Sequence, residues 1–265
     1  MTLRRLIRGL RLYAQGSLAC LYLAAGGFLL RRNRPLLREV ASRLGSGGLP
    51  GGRPRGLIPP RPLGEVIKTS TTVTLAELED ADGAVSLLEL VVIASLVREQ
   101  DPSLSLEIGT FHGRTTLNIA MNQRPGTEVI TLDLPAEDLP RVDKALEDSD
   151  KKYILKDSSG ARFAGRRTEA RIVQLYGDSS RYDFSQYAGR VDLVFVDGAH
   201  SYDFVLNDSR VALSCVRPGG VVLWHDYDTP HWPGVTRALN ELYQTDPRFA
   251  EVMHIEGTSL CLLRR

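Results

Sequence analysis

Leu104-Ser105-Leu106-Glu107-Ile108-Gly109-Thr110-Phe111-His112-Gly113-Arg114-Thr115-Thr116 reads as a short buried strand that stops in a glycine turn and reopens as a helix. Leu104, Leu106 and Ile108 alternate as a strand requires, and Gly109 marks the break. Glycine permits positive φ there and lets a ligand approach the main chain without a Cβ in the way. The amides beyond the turn head a helix, where partial positive charge favours an anionic or polar ligand group. Gly109 and Gly113 stand four apart, which fits neither the dinucleotide G-x-G-x-x-G nor a phosphate loop ending in Gly-Lys-Ser/Thr.

Outward from this stretch, strand and helix signals alternate. A helix is predicted over about Leu75 to Glu99, with Leu87, Leu88, Val91, Val92, Leu96 and Val97 as its apolar stripe. Another covers Arg114 to Asn122 and is broken by Gln123-Arg124-Pro125-Gly126. Glu128 to Asp133 is a second buried strand whose terminal acid, about twenty residues past the turn, is placed for ribose hydroxyls. A carboxylate can accept from both hydroxyls, but the same geometry serves NAD. Arg171 to Tyr176 is a third strand, followed by Asp178, which either faces a ligand amino group or caps the next helix through Ser179 or Ser180.

Val191-Asp192-Leu193-Val194-Phe195-Val196-Asp197-Gly198-Ala199-His200 is a central parallel strand that delivers polar residues to its carboxyl edge, where ligands sit in open α/β sheets. A helix from Tyr202 to about Val216 follows, and Arg217-Pro218-Gly219-Gly220 turns the chain into Val221 to Trp224. That fifth strand brings His225 and Asp226 to the same edge. A helix over Val235 to Gln244 and two short strands, Glu251 to Ile255 and Ser259 to Leu263, complete a doubly wound, mostly parallel, seven-stranded α/β sheet. Residues Pro135 to Arg171 exceed a plain crossover. They read as a solvated insertion, or as a lid or acceptor contact carrying Lys151, Lys152, Lys156, Arg162, Arg166 and Arg167.

The remaining composition narrows the class. A net charge of +1 over 265 residues gives no reason to expect a nucleic-acid partner. The three cysteines are scattered, which disfavours disulfides and zinc and points to a reducing compartment. Three parts are expected: an N-terminal hydrophobic and basic segment 1–44, a Gly/Pro/Arg-rich linker 45–70, and the α/β domain 71–265. Residues 12–30 carry no charge and are flanked by arginines; nineteen residues of helix rise about 28 Å, close to a bilayer core of ~30 Å. Three readings fit: a span or membrane-surface helix, a helix packed on protein, or a cleaved signal.

The glycine turn resembles the first motif of the class I S-adenosylmethionine (SAM)-dependent methyltransferases. Phe195-Val196-Asp197-Gly198-Ala199-His200-Ser201-Tyr202, Arg217-Pro218-Gly219-Gly220, His225-Asp226-Tyr227 and Pro233-Gly234-Val235 narrow the likeness. They resemble the small-molecule and sugar O-methyltransferases related to macrolide-sugar enzymes and to cephalosporin-hydroxylase-like proteins. The likeness covers about Ser86 to Leu263.

It implies a Rossmann-like fold and O-methylation of a small-molecule or sugar acceptor. Glu107, Gly109, Thr110, Gly113 and Thr115 would form the SAM loop; Asp133 would hold the ribose, and Asp178 and Asp197 would also meet the cofactor. It further implies Asp197 and Asp226 as ligands of Mg²⁺ and His200 as general base, a role for which an ordinary histidine is suited at neutral pH. His225 stands where those enzymes carry another carboxylate; it could serve as a metal ligand favouring Mn²⁺, or the site could work without metal. His112 and His231 fall near the site, and His254 reads as structural. SAM use implies a cytoplasmic location, with tethering to the inner membrane face if residues 12–30 engage the bilayer. The alternatives are an NAD-dependent oxidoreductase on the same sheet and an inactive membrane-tethered scaffold.

Overall fold

The computed structural model describes residue 22 and residues 55–265 apart from 69 and 80. Apart from Tyr22, the uncharged run 12–30, the rest of 1–44 and most of the first half of the expected linker therefore lie outside the described residues. Among the described residues, no helix is long and apolar enough to cross a membrane.

Leu104–Ile108 forms β2 at the centre of the sheet. The other strands are β1 (Pro60–Arg61), β3 (Glu128–Asp133), β4 (Arg171–Tyr176), β5 (Val191–Val196), β6 (Val216–Trp224), β7 (Met253–Ile255) and β8 (Cys261–Arg264). Their order is β1-β7-β8-β6-β5-β2-β3-β4, and only β8 runs antiparallel to its neighbours. This is a doubly wound, Rossmann-like sheet. Seven strands are those expected from sequence; the eighth is the two-residue β1, drawn from the segment expected to be linker.

The physical reason for β1 lies in backbone bookkeeping at a sheet edge. Proline cannot donate to a ladder and is tolerated at an edge. Here the segment is used through its carbonyls, with His254 N donating to Pro59 O at 3.1 Å and Glu256 N to Arg61 O at 3.0 Å. Upstream, Tyr227 Oη accepts from the amides of Leu57 (2.7 Å) and Ile58 (2.9 Å), and the Asn240 amide donates to Arg55 O at 2.8 Å. Residues 55–61, upstream of the expected boundary at 71, are thereby held against β7, Tyr227 and Asn240.

Helices cover both faces: α1 (Leu63–Val66), α2 (Leu87–Gln100), α3 (Arg114–Asn122), α4 (Lys151–Ile154), α5 (Tyr202–Cys215) and α6 (Pro233–Thr245). β5 shows how the layers are built, because alternate residues of a strand point to opposite faces. Val194 and Val196 pack with Leu106, Ile108, Val205 and Leu239 on one side, whereas Leu193 and Phe195 pack with Leu90, Ile93 and Ile119 on the other. Residues 217–220, expected as a turn, fall within the range of β6 but form an irregularity in it: Val216 pairs with Val191, and pairing resumes only at Val221 with Leu193.

The helix expected from Leu75 starts only at Leu87. Ser86 and Glu89 form a capping box, in which the Glu89 carboxylate accepts from Ser86 N at 2.7 Å. Residues 74–76 are held extended by two asparagines of α3. The Asn122 side chain accepts from Thr74 N (2.9 Å) and donates to Thr74 O (2.7 Å); Asn118 does the same for Ala76 (2.9 and 3.1 Å). Positions i and i+4 of a helix are separated by about 6 Å of rise, nearly the ~6.6 Å between i and i+2 of a strand, so the two amides match the extended chain.

Two features fix the end of β2. Glu107 faces away from Leu106 and Ile108, is fully buried, and accepts hydrogen bonds from Thr116 of α3 and, at 2.6 Å, Thr131 of β3. Burial pushes its carboxyl up to about 8 against the opposing effect of these hydroxyls. Gly109 has φ +100°, and a Cβ there would lie 2.0 Å from the carbonyl oxygen of Asp197.

Gly109→Ala is therefore expected to cost about 3 kcal/mol or more, read as a lowered urea midpoint, because neither backbone can retreat. Glu107 provides a pH-dependent test. The unfolded carboxyl ionises first, so between about pH 4.5 and 8 the folded state binds the extra proton and this residue's contribution to stability falls as pH rises. Glu107→Gln should gain on the native protein between pH 5 and 8, by about 2 kcal/mol, in paired denaturation curves. Parallel curves would contradict the assignment of a neutral acid.

Candidate functional site

The carboxyl edge of the sheet opens into a cavity of about 470 Å³, within the range of small-molecule sites. Backbone hydrogen bonds just beyond the strands align its walls. Gly109 N donates to Leu132 O (2.9 Å), Asp197 N to Ile108 O (2.8 Å), and His225 N to Val196 O (3.1 Å). Each strand's last polar residue is thereby set beside the next.

One half of the cavity is formed by Gly109, Phe111, Asp133 and Asp178. Asp133 Oδ1 lies 3.4 Å from Phe111 N, while its Oδ2 accepts from Ser159 Oγ at 2.5 Å and pairs with Lys156 Nζ at 2.6 Å. The Asp133 and Lys156 side chains are only 9% and 6% exposed, so this pair is sealed from solvent. Asp178 divides its work: Oδ1 accepts from Ser180 N at 2.7 Å, as a cap would, and Oδ2 is buried without a protein partner.

Glu107, Thr110, Gly113 and Thr115, expected to line the cofactor loop, do not line this cavity. Thr110 Oγ1 contacts Thr131 Oγ1 at 2.7 Å and accepts from Gln174 at 3.1 Å. Gly113 caps α3, and a Cβ on it would strike the Phe163 ring at 2.5 Å. Thr115 is buried within α3. The glycine stretch thus reaches the cavity at Ile108, Gly109 and Phe111, whereas Thr110, Gly113 and Thr115 pack the turn and α3.

The other half gathers Asp197, His200, His225 and Asp226. His225 Nδ1 lies 3.1 Å from Asp197 Oδ1 and 3.2 Å from Asp226 Oδ2; His200 Nε2 lies 3.1 Å from Asp226 Oδ2. His200 Nδ1 donates to Asp150 Oδ1 at 2.6 Å, and its ring stacks on Trp232 with centroids 3.8 Å apart. Asp226 adopts φ +64°, a costly conformation for a non-glycine and of the kind found at functional sites.

These contacts alter the acid–base behaviour expected of the histidines. Burial alone would lower His200, but Asp150 and Asp226 outweigh it and raise the ring to about 9. Burial likewise opposes His225, yet Asp197 and Asp226 hold it well above the ordinary value. Asp226 would be raised by burial but is held well below the usual carboxylate range by the two rings. His200 is therefore protonated at neutral pH in this arrangement, unlike the ordinary histidine assumed from sequence.

Ligand atoms of Asp197, His225 and Asp226 all lie within 4.8 Å of one another, a donor set of two carboxylates and an imidazole that suits a divalent cation. Sequence reasoning missed Asp150, Tyr153 and Trp232 as cavity residues, whereas Lys152 and Lys156, named there as members of a lid or acceptor contact, do line the cavity. The lysine-rich insertion was the available signal for Asp150 and Tyr153. His231 lines the cavity, His112 does not, and His254 bonds Thr258 O at 2.7 Å in a structural role.

Residues 106–227 match a family model described as a methyltransferase domain. The chain is similar to uncharacterized protein R132 of Acanthamoeba polyphaga mimivirus, 26% identical over 145 residues that cover 54% of this chain and 61% of that protein. The chain thus spans about three-fifths of that relative's length. Among solved structures it is similar to the O-methyltransferase TomG of Streptomyces achromogenes, in complex with SAM, at 21% identity and TM-score 0.47, covering 74% of this chain and 93% of that one. It is also similar to the S-adenosylhomocysteine (SAH)-bound methyltransferase PaMTH1 of Podospora anserina, at 21% identity and TM-score 0.48, covering 71% and 82%. The matched residues 106–227 run from β2 through β6 and carry the acid-tipped carboxyl edge, so this part of the chain is similar to a methyltransferase domain.

Proposed function

We propose that this chain transfers the methyl group of SAM to a hydroxyl oxygen of a small-molecule or sugar acceptor. The observation that carries this reading is one cavity of about 470 Å³ lined both by Asp133 and Asp178 and by Asp197, His200, His225 and Asp226. Asp178 lines the cavity and keeps one carboxylate oxygen, Oδ2, without a hydrogen-bond partner, which suits the exocyclic amine of adenine once a ligand draws that oxygen out. Asp133 fits the ribose diol once Lys156 and Ser159 share or yield its Oδ2.

The chemistry asks little beyond alignment and removal of one proton. As the oxygen–methyl bond forms and the sulfur–methyl bond breaks, sulfur leaves neutral, and His200 Nε2 takes the hydroxyl proton. Neutral His200 requires that its contact with Asp226 be relaxed, since that carboxylate helps hold the ring at about 9. Asp150 keeps Nδ1 protonated and leaves Nε2 to face the acceptor. A divalent cation held by Asp197, His225 and Asp226 would acidify and orient the acceptor hydroxyl. Trp232, stacked on His200, supplies an apolar wall that limits how the acceptor approaches.

Titration calorimetry with SAH tests the donor half without knowledge of the acceptor. Binding is expected for the native chain, and Asp178→Ala should weaken it about tenfold while circular dichroism stays native. NAD should give no heat. A folded protein that ignores SAH would overturn the proposal.

A further inference from the structure

Glu89 lies on α2, outside the cavity lining, and no part of the reaction outlined above uses it. It is nevertheless buried, at 4% exposure, and satisfied by groups from three separate segments. Oε1 accepts from Ser259 N and Ser259 Oγ, both at 2.7 Å. Oε2 accepts from Ser86 N at 2.7 Å and faces His225 Nε2 at 3.3 Å. A helix cap needs only the Ser86 contact, so the Ser259 and His225 contacts exceed what capping explains.

The consequence falls on the far side of the imidazole. A carboxylate only accepts, so Nε2 carries hydrogen toward Glu89, as Nδ1 does toward Asp197 and Asp226; a cation seated between those two carboxylates would displace the Nδ1 proton and leave the Nε2 one in place. With Nε2–H committed to Glu89, Nδ1 is the ring atom offered to the space between Asp197 Oδ1 and Asp226 Oδ2. A carboxylate behind a ligating histidine fixes ring orientation and tautomer and strengthens the nitrogen as a donor. Imidazole also discriminates between cations: Mg²⁺ prefers an all-oxygen shell, whereas first-row transition ions accept nitrogen readily.

We propose that Glu89 is the positioning residue of the cation site, turning His225 so that Nδ1 joins Asp197 and Asp226 as third ligand, and that this mixed nitrogen–oxygen set selects Mn²⁺ or Co²⁺ over Mg²⁺. The inference rests on the cation site of the preceding reading. It concerns a residue one shell away from the ion and a metal class, neither of which the methyl-transfer reading requires.

The test uses the full chain after chelator treatment. Mn²⁺ binding is followed by loss of the free-ion electron paramagnetic resonance signal, Mg²⁺ by competition, and SAH binding by calorimetry on the same sample. Native protein is expected to bind Mn²⁺ at least tenfold more tightly than Mg²⁺. Glu89→Gln should weaken Mn²⁺ by about 10–100-fold, because its amide places hydrogens opposite Nε2. His225→Ala should erase the preference. Should Glu89→Gln fail to fold, long-range ¹H–¹⁵N spectra of native protein loaded with diamagnetic Zn²⁺ decide the matter: ligation through Nδ1 with Nε2 protonated supports the assignment.

Three results would overturn it: ligation through Nε2, a native preference for Mg²⁺, or a folded Glu89→Gln that binds Mn²⁺ as the native chain does. Absence of any cation binding with intact SAH binding would overturn it too, and would leave the methyl-donor reading standing.

Discussion

Gly109 sits so close to the Asp197 carbonyl that there is no room for a side chain, and the whole carboxyl edge takes its alignment from that contact. Because β2 and β5 end level, the amide of Asp197 reaches Ile108 O, and the amide of His225 in turn reaches Val196 O. On the other side Gly109 N reaches Leu132 O and Gly177 N reaches Asp133 O. The result is a row of polar residues on adjacent strand tips, spaced by the strand-to-strand distance of about 4.8 Å. A one-residue slip in any strand would turn its residue to the opposite face. Position at this edge is thus a property of backbone register more than of side-chain packing.

Charge is the second constraint. Glu89, Asp150, Asp197 and Asp226 converge on His200 and His225, and among the described residues no lysine or arginine is paired with any of the four. For Glu89, burial is opposed and outweighed by the His225 and Ser259 contacts, and the carboxyl stays well below its usual range. Buried carboxylates need compensation, and here two imidazoles provide it. This arrangement explains why His200 is held near 9, and why any reaction that uses it as a base must first change what Asp226 touches.

The fold was legible in the sequence wherever structure is set by nearest neighbours along the chain. β2, β3 and β5 end where their apolar runs meet Gly109, Asp133 and Asp197, because those runs are buried on both faces and the breaks are local. Legibility failed where a distant group decides. Residues 74–76 carry a helix-compatible pattern, but amides of Asn118 and Asn122, more than forty positions away, hold them extended. Glu107 and Asp133 are both acids near a strand tip, yet only one faces the cavity. Period-two alternation separates the two faces of β2 without saying that α3 roofs one of them. Asp150 carried no signal of its own within the insertion.

That insertion is where the two halves of the site become dependent on each other. Asp150 binds both the backbone amide and Nδ1 of His200, at 3.2 and 2.6 Å, while Lys156 and Ser159 occupy Asp133. Phe163 packs over Gly113, and Arg162 and Arg166 tie the segment to Glu77. A displacement that frees Asp133 from Lys156 acts on the same fourteen-residue stretch that orients His200, from Asp150 to the Phe163 packing contact. Residues 150–163 thereby join the two halves of the cavity mechanically. The glycine turn at Gly109 sets the level at which the strands end, whereas the insertion sets what Asp133 and His200 touch.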